Sequence, residues 1–91
     1  MKTESLTDKL KGKKLSLVQV EGGYKLTEIT NIAKKIVFIP EDDLHYHTTP
    51  RGVVHAAFVH DEYTYELVFC TNSYIGDYWK LERISSTWAQ Y

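Results

Sequence analysis

The stretch that decides the fold is residues 63–71, which read Tyr-Thr-Tyr-Glu-Leu-Val-Phe-Cys-Thr. Its side chains alternate between two faces with a period of two residues. One face carries Tyr63, Tyr65, Leu67 and Phe69, and the other carries Thr64, Glu66, Val68 and Cys70. This alternation is typical of a β-strand with one face against a core. We therefore predict a strand here and expect its neighbours in the sequence to pair with it.

Further segments on both sides of this stretch have the composition of strands. Gly22-Gly23 suits a tight hairpin turn between two of them, and Asp61-Glu62 makes an equally short connection. Residues 36–39 are apolar on both faces, which predicts a central strand that Pro40 ends. The predicted strands are Lys14–Val20, Tyr24–Ile29, Ile36–Ile39, Val53–His60 and Tyr78–Ile84.

The rest of the chain predicts a short helix, a loop and a packed tail. Ser5 is a suitable N-cap for a helix over residues 5–11. Residues 41–52 carry turn-forming residues and predict the longest loop. Residues 26–35 leave two interpretations open, because their apolar positions fit an amphipathic helix while their β-branched residues favour a strand.

These elements predict an α+β chain that is predominantly β. We expect a small antiparallel sheet, or a partly closed barrel, of five to six strands with a short N-terminal helix. The 91 residues suit a single domain that spans residues 1–91. Within it the helix occupies about 5–11, the β-rich part 14–84, and the packed C-terminal tail 85–91.

Composition disfavours several classes of protein. The longest apolar runs, Ile36–Ile39 among them, have four residues, far short of the ~20 residues of a membrane-spanning helix. The first residues lack the apolar region of a signal peptide, and Cys70 is the only cysteine, so no internal disulfide can form. No glycine-rich phosphate loop is present. We therefore expect a cytoplasmic protein without membrane contact and without a cofactor.

The formal net charge of −1 conceals an asymmetry along the chain. Residues 1–35 carry eight lysines and four acids, a balance of +4, whereas residues 36–91 carry three basic and eight acidic residues, a balance of −5. Sequence-independent binding to nucleic acid needs a surplus of cations. Nucleic acid is therefore not favoured as a partner, and binding through the N-terminal lysines is kept as a third hypothesis.

The leading functional hypothesis is a small non-catalytic protein that binds another protein or itself. Tyrosines are good contact residues because they are large, rigid and able to hydrogen-bond at a wet rim. An accessory, regulatory or inhibitor protein of a bacterium or phage would have such a surface, and a homodimer is a further prediction. The predicted contact residues are Tyr63, Tyr65, Glu66, Tyr74, Tyr78 and Trp79.

The alternative hypothesis is a histidine-dependent phosphoesterase or nuclease, or a divalent-metal site. All four histidines lie between residues 45 and 60, and His45 and His47 share one face of an extended backbone. Imidazoles act as general acids and bases near neutral pH and also bind zinc. The alternative catalytic residues are His45, His47, His55, His60 and Arg51. The alternative metal ligands are His45, His47 and Asp43.

Overall fold

The computed structural model describes residues 6–86, which form one seven-stranded antiparallel sheet and a short helix. The prediction of a mostly antiparallel sheet with a short N-terminal helix is confirmed. The elements are α1 (Leu6–Leu10), β1 (Leu15–Val20), β2 (Gly23–Glu28), β3 (Val37–Pro40), β4 (Leu44–Thr48), β5 (Val54–His60), β6 (Tyr63–Cys70) and β7 (Tyr78–Ser86). Their order across the sheet is β3-β2-β1-β7-β6-β5-β4.

The sheet has seven strands rather than five to six because β4 lies inside the predicted loop. Leu44 is its single buried residue, and the four that follow are exposed. An edge strand that buries so few residues shows no alternation of apolar and polar side chains. The turn-forming residues around β4 therefore predicted a loop instead of a strand. The sheet is also open rather than closed into a barrel, because β3 and β4 end it without pairing to each other.

The apolar segment that predicted a central strand forms the opposite edge of the sheet. Strand β3 pairs only with β2. Ile39 is buried, whereas Phe38 on the other face is 39% exposed. An apolar residue on the outer face of an edge strand therefore explains the two-sided apolar pattern.

The sheet curls until distant strands contact each other. Tyr24 in β2 and Tyr46 in β4 lie five places apart in the strand order, yet their ring centroids are 6.4 Å apart at nearly right angles. In a flat sheet the same two strands would be roughly 24 Å apart, at about 4.8 Å per strand. Burial and the neighbouring Tyr24 hydroxyl raise the pKa of Tyr46. The concave side of the curl is called the inner face below, and the convex side the outer face.

The core fills the inner face, and α1 covers part of it. Leu10 in α1 is fully buried, and Leu6 packs against the same cluster. Gly12, with a positive φ of 72°, follows the helix, as is usual at a helix C-terminus. Within residues 6–86, no helix is long and apolar enough to cross a membrane. The core residues are Leu10, Leu15, Leu26, Ile39, Leu44, Ala56, Phe58, Tyr65 and Leu67.

A β-bulge in β7 changes which side chains face outward. Glu66 pairs with Arg83, but the next residue of β6, Leu67, pairs with Leu81, so Glu82 has no partner in β6. Beyond the bulge the alternation of β7 is reversed. Ile84 consequently packs against the core on the inner face, and Arg83 comes to the outer face beside Glu66.

Residues 26–35 resolve into the end of a strand followed by turns. Strand β2 ends at Glu28, and an isolated bridge joins Glu28 to Asn31. The strand interpretation is therefore correct for the first part of this segment, and the helical one is wrong. Ser5 and residues 87–91, most of the predicted packed tail, lie outside the described residues.

Gly23 is a position where only glycine fits, and it gives a first testable prediction. A Cβ on this buried residue would overlap the carbonyl oxygen of Ile39 and lie 2.9 Å from Phe38 Cζ. Gly23→Ala must therefore push β3 away from β2, and we expect the free energy of unfolding to fall by about 3 kcal/mol. Gly52→Ala is the control, because open space surrounds Gly52 and its positive φ alone costs about 1 kcal/mol. Urea unfolding measures both, and equal losses would contradict the steric argument.

Candidate metal centre on the outer face

Three strands bring two histidines and a carboxylate together on the outer face. His47 in β4 is directly opposite His55 in β5. Glu66 in β6 is opposite Ala57, two residues from His55 and therefore on the same face. The hairpin registers thus place His47, His55 and Glu66 side by side, although they are far apart in sequence.

The three side chains point their ligand atoms at one small volume. His55 Nδ1 lies 3.5 Å from Glu66 Oε2, and His47 Nε2 lies 4.0 Å from the same oxygen. One ligand atom from each residue lies within 4.8 Å of the other two. Ligands of a tetrahedral zinc ion are about 3.3 Å apart. Small side-chain rotations would therefore bring these atoms to coordination distance.

The two imidazoles are stacked, with ring centroids 4.9 Å apart and an interplanar angle of 8°. Their burial differs, because the His47 side chain is 55% exposed and the His55 side chain 14% exposed. The His55 side chain is thus largely shielded from solvent, whereas the His47 side chain borders on it. The cluster is therefore open to solvent on the His47 side.

Arg83 fixes the orientation of the Glu66 carboxylate. Both Arg83 Nη2 and Nε donate hydrogen bonds to Glu66 Oε1, at 2.8 and 3.1 Å. These bonds, together with the carboxylate charge, raise the pKa of Arg83. Since Arg83 occupies Oε1, the other oxygen is left facing the histidines. The contact between Arg83 and Glu66 depends on the bulge in β7, because the bulge brings Arg83 to the outer face.

His55 carries a buried nitrogen without a hydrogen-bond partner. Its Nδ1 is inaccessible to solvent. Within the described residues it neither donates a hydrogen bond nor accepts one. Leaving a buried polar atom unsatisfied costs about 1–3 kcal/mol. Because this nitrogen faces Glu66 Oε2, a cation between the two would satisfy both atoms.

The four histidines of the catalytic alternative separate into two groups. His47 and His55 come together, and His45 lies on the same face opposite Ala57 without joining them. His60 lies on the inner face, with its ring 6.4 Å from that of Tyr65 and its Nε2 3.4 Å from Asp61 Oδ2. A catalytic set that uses all four histidines is therefore not assembled in this structure.

Arg51 of the catalytic alternative and Asp43 of the metal alternative lie outside the cluster of His47, His55 and Glu66. Asp43 belongs to the single 3₁₀ turn before β4. Arg51 lies in the turn between β4 and β5, where it lines an open cavity of about 390 Å³ that also borders His55. In the part of the chain that the structure describes, the clustered ligand set is His47, His55 and Glu66, in place of His45, His47 and Asp43.

The six predicted contact residues do not share one surface. Tyr63 and Tyr74 are exposed, at 48% and 96%. Tyr65 is buried in the core, which does not fit a contact role, and Trp79 packs on the inner face against Tyr46 and Phe69. The other two residues face outward. Glu66 lies beside His47 and His55, and Tyr78 lies beneath the Lys14 ammonium. Binding of a protein partner, or of a second copy, stays a prediction.

Sequence reasoning named Glu66 for a different role and did not single out Arg83. One signal in the sequence could have placed Glu66 beside His55. The short Asp61-Glu62 turn fixes the register of β5 against β6, which puts Glu66 opposite Ala57 and on the face of His55. Arg83 could not have been found this way, because the bulge that exposes it has no mark in the sequence.

Comparison of the chain with protein-family models, with curated proteins and with solved structures finds no match.

Proposed function

We propose that this protein binds a divalent transition-metal ion, with zinc as the reference ion, through His47, His55 and Glu66. The observation that carries the proposal is the convergence of two imidazole nitrogens on one carboxylate oxygen that Arg83 leaves free. Imidazole and carboxylate are ligands that zinc, nickel, cobalt and copper accept. A hard cation such as Mg²⁺ prefers an all-oxygen set.

Three protein ligands leave one position of a tetrahedral ion open. Sites with three protein ligands and one exchangeable position are typical of reversible or reactive zinc, and closed four-ligand sites are typical of structural zinc. The exposure of His47 fits the first kind. Four-ligand structural sites bind with about 10–16 kcal/mol, so we expect a weaker site here, with a dissociation constant on the order of micromolar.

The test is zinc affinity, measured on tag-free protein by competition with a chromogenic chelator. We expect His47→Gln and His55→Gln each to weaken binding by about a hundredfold, since even the loss of an outer-shell partner commonly costs 10- to 100-fold. Each variant removes one proposed ligand and leaves the formal net charge of −1 unchanged, because histidine is counted as neutral at pH 7.

Two histidines outside the cluster provide matched controls. His60→Gln removes an imidazole from the inner face, and His45→Gln removes one from the same face and strand as His47. Both variants are expected to bind zinc within twofold of the wild type. Equal weakening by His45→Gln and His47→Gln would favour the ligand set predicted from sequence, and unchanged affinity in His55→Gln would contradict the proposed site.

A further inference from the structure

A second candidate site lies between α1 and the turns that lead into β3, away from the cluster of His47, His55 and Glu66. It is a pocket of about 210 Å³ with four lysines in its wall, two from the helix region and two from the turns. These are Lys9, Lys13, Lys34 and Lys35. None of the segments that form this pocket contributes a residue to that cluster.

The charge of the pocket wall is strongly unbalanced. Glu28 is the one acidic residue among the residues that line it, so the wall carries a net charge of +3 from four lysines and one carboxylate. The lysines come from two segments about 20 residues apart in sequence, and the fold brings them to one opening. Like charges held around a small volume repel each other. A bound anion would reduce this repulsion.

The other residues of the wall suit a small polar ligand. Asn31 offers an amide group, and Ile36 provides an apolar side. The volume is below the 300–1,000 Å³ typical of pockets for larger organic ligands. A compact anion of high charge matches both the size and the surplus of ammonium groups.

We infer that this pocket binds a phosphate-bearing anion, with the ammonium groups of Lys9, Lys13, Lys34 and Lys35 around the phosphate oxygens. Lysines bind phosphate as point charges through charge-assisted hydrogen bonds. A phosphate that carries two charges, or a pyrophosphate that carries more, would neutralise most of the +3 of the wall. A single carboxylate would leave most of it unbalanced, which is why phosphate is the chemistry that fits.

The experiment is calorimetric titration of the full chain with pyrophosphate, for the wild type and two double variants. Lys9→Gln/Lys34→Gln removes two pocket charges. Lys25→Gln/Lys80→Gln removes two lysines from the outer face of β2 and β7, so both variants have the same net charge. We expect the pocket variant to weaken binding by about tenfold or more, and the control to change it less than twofold. Equal weakening in both variants, or no saturable binding by the wild type at millimolar pyrophosphate, would overturn the inference.

The source of the phosphate is resolved by a second titration with a ten-residue oligothymidylate. Binding to nucleic acid depends steeply on salt because counterions are released from the phosphate backbone. Oligothymidylate that binds more tightly than pyrophosphate, and loses that affinity in the pocket variant, assigns the site to a nucleic-acid backbone. Weaker binding than pyrophosphate assigns it to a small phosphorylated ligand. Oligothymidylate that binds more tightly than pyrophosphate, yet equally in the pocket and control variants, counts against the pocket as the phosphate site.

Discussion

Zinc at a hundredfold excess over its dissociation constant is expected to raise the Tm of this protein by about 10 to 20 °C. A ligand that binds only the folded state at 100 times its Kd stabilises by about 2.7 kcal/mol. Each kcal/mol shifts the Tm of a domain of 60–100 residues by about 4–8 °C. The ligands come from three strands, so unfolding separates His47, His55 and Glu66 and destroys the site.

The size of the shift also reports how well the folded state competes with the unfolded chain for zinc. His45, His60 and Cys70 remain available as ligands when the chain unfolds, and any binding to the unfolded state reduces the stabilisation. We therefore expect a shift nearer 10 °C than 20 °C. The measurement is thermal unfolding followed by circular dichroism at increasing zinc, with the chelator-treated protein as reference.

Specificity for the cluster is tested with the same variants and a second ion. His55→Gln, with its hundredfold weaker binding, should reduce the shift to about 2–3 °C at the same zinc concentration, and His60→Gln should show the wild-type shift. Magnesium at the same concentration should leave the Tm unchanged, because it prefers oxygen ligands in octahedral geometry. A zinc-induced shift that survives the loss of both His47 and His55 would show that zinc stabilises this fold elsewhere.

Much of the fold follows from the sequence because its central strands have one buried and one solvated face. The alternation of residues 63–71 predicts β6, which the structure places at Tyr63–Cys70. The hairpin between β1 and β2 is present, but its two-residue turn is Glu21-Gly22 rather than the predicted Gly22-Gly23, and Gly23 is the first residue of β2, paired with Val20. These elements have a strong local pattern, and tertiary packing reinforces it.

The edges of the sheet could not be predicted in the same way. Strand β4 buries only Leu44, and its remaining residues are exposed polar or aromatic side chains. Such a strand forms because its neighbour offers backbone hydrogen bonds, and its own sequence carries little signal of it. The missed strand holds His45 and His47, which is why the sequence could not decide whether the histidines converge.

The candidate site depends on register, which is a property of pairs of strands. His47 and His55 become neighbours through the β4–β5 hairpin, and Glu66 joins them through the β5–β6 hairpin. A shift of one residue in either hairpin would move a ligand to the other face of the sheet. The individual residues were therefore visible in the sequence, but their grouping required the structure.

Tyr65→Ala is expected to lower the free energy of unfolding by about 3–5 kcal/mol, the usual cost of removing a buried aromatic side chain. Tyr65 is 4% exposed, and its ring stacks on Phe58 with centroids 5.2 Å apart and an interplanar angle of 10°. Natural domains are stable by only about 5–15 kcal/mol in total. This single change should therefore remove a large part of the stability of the protein.

Tyr63→Ala is the matched control, because Tyr63 lies two residues earlier on the same strand and the same face of β6. It is 48% exposed, and substitutions at exposed positions usually change stability by about 0.5 kcal/mol or less. Urea unfolding of both variants gives the comparison, with the m-value checked for each. Equal stability losses would contradict the assignment of Tyr65 to the core.

The contrast between these two tyrosines also decides how the predicted protein-binding surface must be tested. Loss of partner binding in Tyr65→Ala would follow from unfolding alone, so that variant cannot identify a contact. Tyr63 and Tyr74 are exposed and can be replaced without opening the core. A binding defect in Tyr63→Ala or Tyr74→Ala at unchanged Tm would support a contact surface at these residues. Wild-type binding in both variants would restrict any such surface to other exposed residues.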